Sequence, residues 1–502
     1  MNKKNNIISI TIIALLSVLE ILIGLQVWQL DILPFKYFLL IATALILLNL
    51  LIARLLLLRN KKNIILQRAL GYFLSVLIVV VFFIASQGLS KIQETMDAVT
   101  KVSKVSAVFE LYVSKDDSAA SLDDMADYRI AVTESIDQEN TQLTLEAMEN
   151  STGKAVQRIN YDTMFAMVDA LYADEVDALL INSAYVDILT ELEAYTDFSE
   201  RVKCIWEYDI HQIVEEEETE IIAEDPVTEE DSEDAPFVVY ISGSDTRSKK
   251  LKVSRSDVNI LAVVNPKTEQ ILLINTPRDY YIGNPAGNGA LDKLTHCGIY
   301  GIECSVQALS DLYEEDIPYY GQINFTGFET LIDAIGGVDV YSEVAFTTPY
   351  GKHRIQQGMN HLNGSQALGF ARDRYSLKSG DNARGQNQMK VIKAVINQIS
   401  AGNIITNYSE IMDSLQGMFM TNISSEKISS LVKLQLSEMI NWDVKSYAVT
   451  GRGGSERTYS IPGANAYVMH PNYETVDFAI ELIDKVMAGE VLTDEDLVLL
   501  RE

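Results

Sequence analysis

The sequence predicts an α/β protein in three parts: three N-terminal membrane helices, a smaller α/β module, and a larger α/β domain whose central sheet is flanked by helices. Three observations lead there. Residues 7–89 hold three apolar runs of about 20 residues each, the length that crosses a hydrocarbon core. Beyond residue 105, short strand-like runs alternate with helical patterns, as in sheets covered by helices. Twelve Asp/Glu among the twenty residues Glu215–Asp234 divide that alternating region in two. A chain of 502 residues has room for such a division.

The spans run over about 7–27, 37–57 and 69–89. A cleaved signal peptide fits poorly, because no small-residue cleavage site is evident and two more spans follow the first. Lys3 and Lys4 precede the first span, and Arg59, Lys61, Lys62 and Arg68 separate the second from the third. The positive-inside rule places those segments in the cytoplasm and everything after about residue 90 outside it. Glu20 lies within the first span, where a charge is costly. A carboxyl that faces the helix bundle or carries a proton accounts for it.

Of the net charge of −30, residues 1–89 contribute +6, which leaves −36 on the remainder. Such an acidic exterior excludes sequence-independent binding to nucleic acid, which depends on clustered Lys/Arg. The three cysteines, Cys204, Cys297 and Cys304, form no disulfide framework, and five scattered histidines show no zinc spacing. Cys297 and Cys304 would be about 10 Å apart on one straight helix. A break at Gly298 and Gly301 would bring them together, as a disulfide or as two buried thiols.

Residues 90–104 read as a juxtamembrane stalk. The smaller module, 105–213, is read as strands at 128–133 and 178–182 with helices at 142–148, 161–172 and 185–192. It shows no catalytic constellation and reads as a spacer or a protein-contact module. Residues 214–235 are an acidic, self-repelling linker without the regular ligand spacing of a calcium loop. The larger domain, 236–489, opens with strands at 237–242, 258–264 and 270–275, the last two joined by an Asn-Pro-Lys-Thr turn. Helices at 304–313 and 327–334 follow, the second ending at Gly336-Gly337, and then a strand at 338–344. Helices at 365–371 and 386–399 flank an arginine-rich segment, and the tail 490–502 reads as a short terminal helix.

The candidate site is drawn from separated motifs. Asp245 lies in SGSDTR, Arg255 and Asp257 in SRSDVN, Arg278 in TPRDYY, and Arg372, Arg374, Arg384 and Gln388 in ARDRYSLKSGDNARGQNQ. Acids at the ends of neighbouring strands can converge on one Mg²⁺, which takes one or two carboxylates plus phosphate and water oxygens. Guanidinium groups grip phosphate oxygens in a bidentate way, which suits a pyrophosphate. Arg372 and Arg374 would point to the same side of an extended segment, and Arg384 and Gln388 share a helix face. The competing reading is local: the acids cap turns, and Arg372 and Arg384 pair with Asp373 and Asp381. The glycine-rich TGRGGSER segment, 450–457, lacks the Gly-Lys-Ser/Thr ending of a P-loop and reads as a surface loop.

Together with KLTH, INFTGFETLIDAIGGVDV and LNGSQALGFARDR, these motifs resemble the LytR-CpsA-Psr family over roughly residues 236–488. Three spans followed by an extra module resemble its CpsA-like branch. The resemblance implies an LCP-type α/β domain and transfer of an anionic glycopolymer, such as teichoic acid or capsule, from undecaprenyl pyrophosphate to peptidoglycan through a phosphodiester. It also implies Mg²⁺ on Asp245 and Asp257, pyrophosphate on Arg278, Arg372, Arg374, Arg384 and Gln388, and Arg255 beside both. Asp279 is a candidate general base, against a turn acid paired with a neighbouring arginine. Ile282 departs from the pattern, standing where some members carry a polar residue. The alternative expectation is a non-catalytic polyprenyl-phosphate-binding regulator of envelope assembly, the attenuator role in the family's historical names.

Overall fold

A computed structural model of the chain describes residues 3–57, 64–100, 107–125, 127–133, 137–210, 235–248, 250–374, 381–400, 411 and 415–499. The acidic linker falls almost wholly outside them. The chain forms two compact units. One comprises Met1–Lys101, Asn397–Gln416 and Ile423–Asn441; the other comprises Val102–Ile396, Gly417–Asn422 and Trp442–Glu502.

The first unit holds three helices long and apolar enough to cross a membrane, at Asn6–Leu30, Phe35–Leu57 and Ile64–Glu94. The third helix continues to Thr100, so the stretch expected to be a separate stalk is helical through that residue. Asn49 Nδ2 donates to Glu20 Oε2 at 2.9 Å and to Ser17 Oγ at 3.0 Å. The carboxyl therefore has a partner from the second helix, as expected of an acid turned toward the bundle. Helix Ser425–Glu438, capped by Ser424 Oγ on the Lys427 amide, joins this unit through Lys433 and Asp31, 2.9 Å apart.

In the second unit, the smaller module carries strands β1 (Ala107–Ser114), β2 (Arg129–Thr133), β3 (Gln157–Tyr161), β4 (Ala178–Asn182) and β5 (Val202–Ile210), in the order β3-β2-β4-β1-β5. β1 and β3 were not foreseen. The larger domain is built on six strands: β6 (Phe237–Ser244), β7 (Ser256–Asn265), β8 (Gln270–Asn275), β11 (Tyr319–Asn324), β16 (Phe419–Thr421) and β17 (Asp443–Ala448). Their order is β16-β11-β6-β7-β8-β17. Small ribbons surround this sheet: β9 (Tyr281–Asn284) with β10 (Ala290–Lys293), β12 (Val338–Ser342) with β15 (Gly358–Leu362), β13 (Phe346–Thr347) with β14 (Arg354–Ile355), and β18 (Gly451–Arg457) with β19 (Asn465–Pro471).

The glycine-rich segment expected to be a surface loop is thus strand β18. Its residues have little strand propensity of their own. Seven-residue pairing with β19, from Gly451↔Pro471 to Arg457↔Asn465, imposes the conformation. The tail departs as well: its described residues, 490–499, contain no helix. Gly336 and Gly337 do take the left-handed conformation expected after a helix, with φ of 85° and 90°.

The main core packs Tyr240, Leu261, Leu272 and Ile274 of the sheet against Leu309, Tyr313, Ala479 and Ile483 from helices Ile302–Tyr313 and Tyr473–Met487. A second core is shared by both modules. Ile299, Ile461 and Ala466 of the larger domain are buried among Phe165, Tyr185, Ile188 and Phe198 of the smaller one. Full burial of one such aliphatic side chain contributes about 1.5–3 kcal/mol. The smaller module is therefore cemented to the larger, and this fixes its loops beside the sheet's end.

Candidate active site

Sheet topology gathers the motifs. β6 and β7 are antiparallel, with Gly243 opposite Val258, so the end of β6 and the start of β7 lie at one edge. β8 ends at that same edge, with Asn275 opposite Ile260. Asp245, Asp257 and Arg278 leave or enter the strands there. Helix Asp381–Gln398 reaches the edge through Gly385, where a Cβ would overlap the Asn275 side chain.

The charged groups form an alternating, mostly buried lattice. Arg255 Nη2 lies 3.1 Å from Asp245 Oδ2, and Arg278 Nη1 lies 2.7 Å from Asp257 Oδ1. Arg278 Nε sits 3.6 Å and Lys293 Nζ 3.8 Å from Asp279, so the turn-acid reading of Asp279 describes its contacts. The Nε groups of Arg255 and Arg278 are buried and make no hydrogen bond among the described residues. A buried donor without an acceptor is costly, and an arriving anion removes that cost.

Asp245 and Asp257 feel each other. The Asp245 carboxyl is pushed up by burial and then by the charge of Asp257. Asp257 is held low: burial opposes its charge, but Arg278, Arg255 and Arg384 outweigh it. Two near carboxylates of this kind gain from a cation between them. Among the described residues no group of three or more His, Cys, Asp or Glu could hold a metal.

The remaining predicted residues divide. Arg384 and Gln388 are both buried on one helix, and Arg384 acts on Asp257. Arg374 lines a recess of about 450 Å³ together with Arg278, Asp279 and Lys293. Arg372 differs from expectation. It caps helix Gly364–Ala371 with φ −92° and ψ −8°, so the backbone there is not extended. Its guanidinium stacks 4.4 Å from the Phe325 ring centre and 5.0 Å from that of Tyr350. Cys297 and Cys304 are buried free thiols, brought together by Gly301 at φ 108°. Ile282 is an apolar member of the main core.

Sequence reasoning missed what the smaller module adds. Glu191, just after helix Ser183–Leu189, bonds Arg255 Nη1 at 2.7 Å and Lys293 Nζ at 2.5 Å. Its carboxyl is held well below the usual range: burial opposes the charge, but His296 and Lys293 more than offset that. Asp187 of that helix is pushed up to about 6, by burial first and with the charges of Asp245, Asp257 and Glu191 adding to it against Arg255. No local pattern marks Glu191, because its partners lie 64 and 102 residues away.

His296 completes the lattice. Its ring is fully buried, with Nδ1 2.7 Å from Asp292 Oδ1 and Nε2 3.9 Å from Glu191 Oε2. The second contact is too long for a hydrogen bond and acts through charge. Burial alone would lower the pKa, but Asp292 and then Glu191 raise it. The imidazolium thus stabilises the fold fully below about pH 6.5, and this contribution is lost as pH rises through the raised value. The melting temperature of the full chain should fall as pH rises above about 6.5, and His296→Asn should flatten that slope. An unchanged slope in the variant would remove His296 from this account.

The LytR_cpsA_psr family model matches residues 206–476, more than half of the chain. The chain belongs to the LytR_cpsA_psr family. The match takes in every predicted site residue of the larger domain and begins within β5. A Bacillus cereus protein named polyisoprenyl-teichoic acid–peptidoglycan teichoic acid transferase TagU is 32% identical over 40% of this chain and 65% of its own length. A protein of the same name from Oceanobacillus iheyensis is 35% identical over 39% of this chain and 61% of its own length. The matches thus span somewhat less than two thirds of those relatives. Among solved structures, B. subtilis TagV aligns over 52% of this chain and 99% of its own, at 22% identity and a TM-score of 0.43. Within the LytR_cpsA_psr family match, Glu191 falls outside the aligned residues and Lys293 and His296 fall inside them.

Proposed function

We propose that this chain is an extracytoplasmic, membrane-anchored phosphotransferase. It moves an anionic glycopolymer, teichoic acid or capsule-like, from an undecaprenyl pyrophosphate carrier to peptidoglycan through a phosphodiester. The observation that carries this reading is the pair of buried, unsatisfied Nε donors on Arg255 and Arg278 beside Asp245 and Asp257. The names of the relatives support the substrate class. The Lys/Arg bias around the three apolar helices supports the outward placement of the larger domain.

Asp245 and Asp257 would hold Mg²⁺, which supplies charge neutralisation on the diphosphate. Arg278, Arg374 and Arg384, with Arg255 beside them, bind and orient the phosphates and stabilise charge developing on their oxygens. Arg372 and Gln388 belong to the same cradle. A peptidoglycan hydroxyl attacks the glycan-side phosphorus, the new O–P bond forms, and the bond to the bridging oxygen breaks. Undecaprenyl phosphate leaves with the electron pair. The hydroxyl proton passes to water in the recess, whose wall includes the Asp279 carboxylate.

The test is transfer from a polyprenyl-pyrophosphate-linked oligosaccharide to peptidoglycan by the full chain in detergent. Phosphodiester-linked product should form, and a divalent-metal chelator should stop it. Continued turnover in chelator would refute the cation. Donor binding without product would leave the regulator reading in its place.

A further inference from the structure

The recess that holds Arg278 and Arg374 carries more than a phosphate needs. Leu192 and Glu193 of the smaller module line it beside Glu191, and Asn465, Ala466 and Tyr467 of strand β19 face them. Its volume of about 450 Å³ is that of a small-molecule site. Three cations in its wall, Arg278, Lys293 and Arg374, are matched by three acids, Glu191, Glu193 and Asp279. Once the arginines hold the diphosphate, the rest of the recess is acidic and repels a second anion. It favours a neutral ligand rich in hydroxyl groups, for which carboxylates are acceptors and the Asn465 amide is both donor and acceptor.

An aromatic platform points to the same chemistry. Tyr467 is 54% exposed although it stands on a paired strand. Its ring lies over Gly453 of β18, where a Cβ would come within 3.1 Å of it. The hairpin therefore presets the ring, and an exposed flat face of this kind suits the apolar face of a pyranose.

We propose that this recess is the acceptor subsite, that it takes a neutral, hydroxyl-rich sugar of a glycan strand, and that the smaller module forms one of its walls. Naming the ligand as acceptor rests on the transfer reading; the binding of a neutral sugar does not. The probe is chitotetraose, a neutral N-acetylated tetrasaccharide, titrated onto the full chain in detergent by saturation-transfer NMR. Tyr467→Ala should weaken binding about tenfold or more, while Tyr467→Phe, which keeps the ring, should bind within about threefold of the parent. In the transfer assay, Tyr467→Ala should raise the acceptor KM to a similar extent with the donor KM unchanged. The proposal is overturned if the parent chain does not bind chitotetraose, if Tyr467→Ala binds it equally well, or if the donor KM rises instead. Ring-dependent sugar binding in a chain that transfers nothing would keep the sugar site and discard the transfer reading.

Discussion

Alanine at Arg374 should lower transfer about 10²–10³-fold and leave the melting temperature within error of the parent, the loss typical of removing one preorganised charge donor from a transition state. Arg374 suits this test because it is exposed and lines the recess with Arg278. Arg278 itself is less informative: its removal would strand Asp257, and the loss of activity would be mixed with loss of fold. Lysine at position 374 should recover only part of the rate, since an ammonium cannot grip two oxygens in a plane. The measurement is kcat/KM for the pyrophosphate-linked donor, with thermal melting of the same preparation. Parental rates in Arg374→Ala would remove it from the phosphate cradle.

The second large effect should come from a residue in the smaller module. Glu191→Ala leaves Arg255 and Lys293, both largely buried, without their shared carboxylate. Breaking a buried ion pair from one side costs about 3–5 kcal/mol. Arg255 keeps Asp245 at 3.1 Å and Lys293 keeps only the longer contact to Asp279, so the lower end of that range is expected. Urea unfolding of the full chain should show the shift. Transfer should fall as well, because Arg255 loses the contact that aims it across Asp245. If Glu191→Ala unfolds at the parental midpoint, the smaller module does not brace the site.

The contrast between Arg374 and Glu191 shows what the sequence makes legible. The three spans, the strands that place Asp245 and Asp257, and the shared helix face of Arg384 and Gln388 follow from length and period, both local properties. Glu191 is fixed by the buried contacts of Phe165, Tyr185 and Phe198 with Ile299 and Ile461, which no spacing encodes. The backbone at Arg372 departs from the extended form expected of it for a related reason. Alternation predicts a common direction only in a strand, and the helix Gly364–Ala371 runs on to it and lays it across two rings. Strand β18 escaped because glycine-rich sequence has no period; its conformation belongs to its partner. β5, by contrast, alternates along VKCIWEYDI and carried a period-two signal of its own.

The Glu191 bridge also sets a rule for exchanging parts among related chains. A foreign segment put in place of residues 107–210 would bring a different wall to the recess lined by Glu191, Leu192 and Glu193, and, if that recess takes the acceptor as proposed, a different taste in glycan. It would keep the two basic side chains aligned only if it offered an acid at the position of Glu191. On the proposed reading, one short loop would carry both acceptor choice, in its neighbouring side chains, and support of the charged lattice, in the single carboxylate of Glu191.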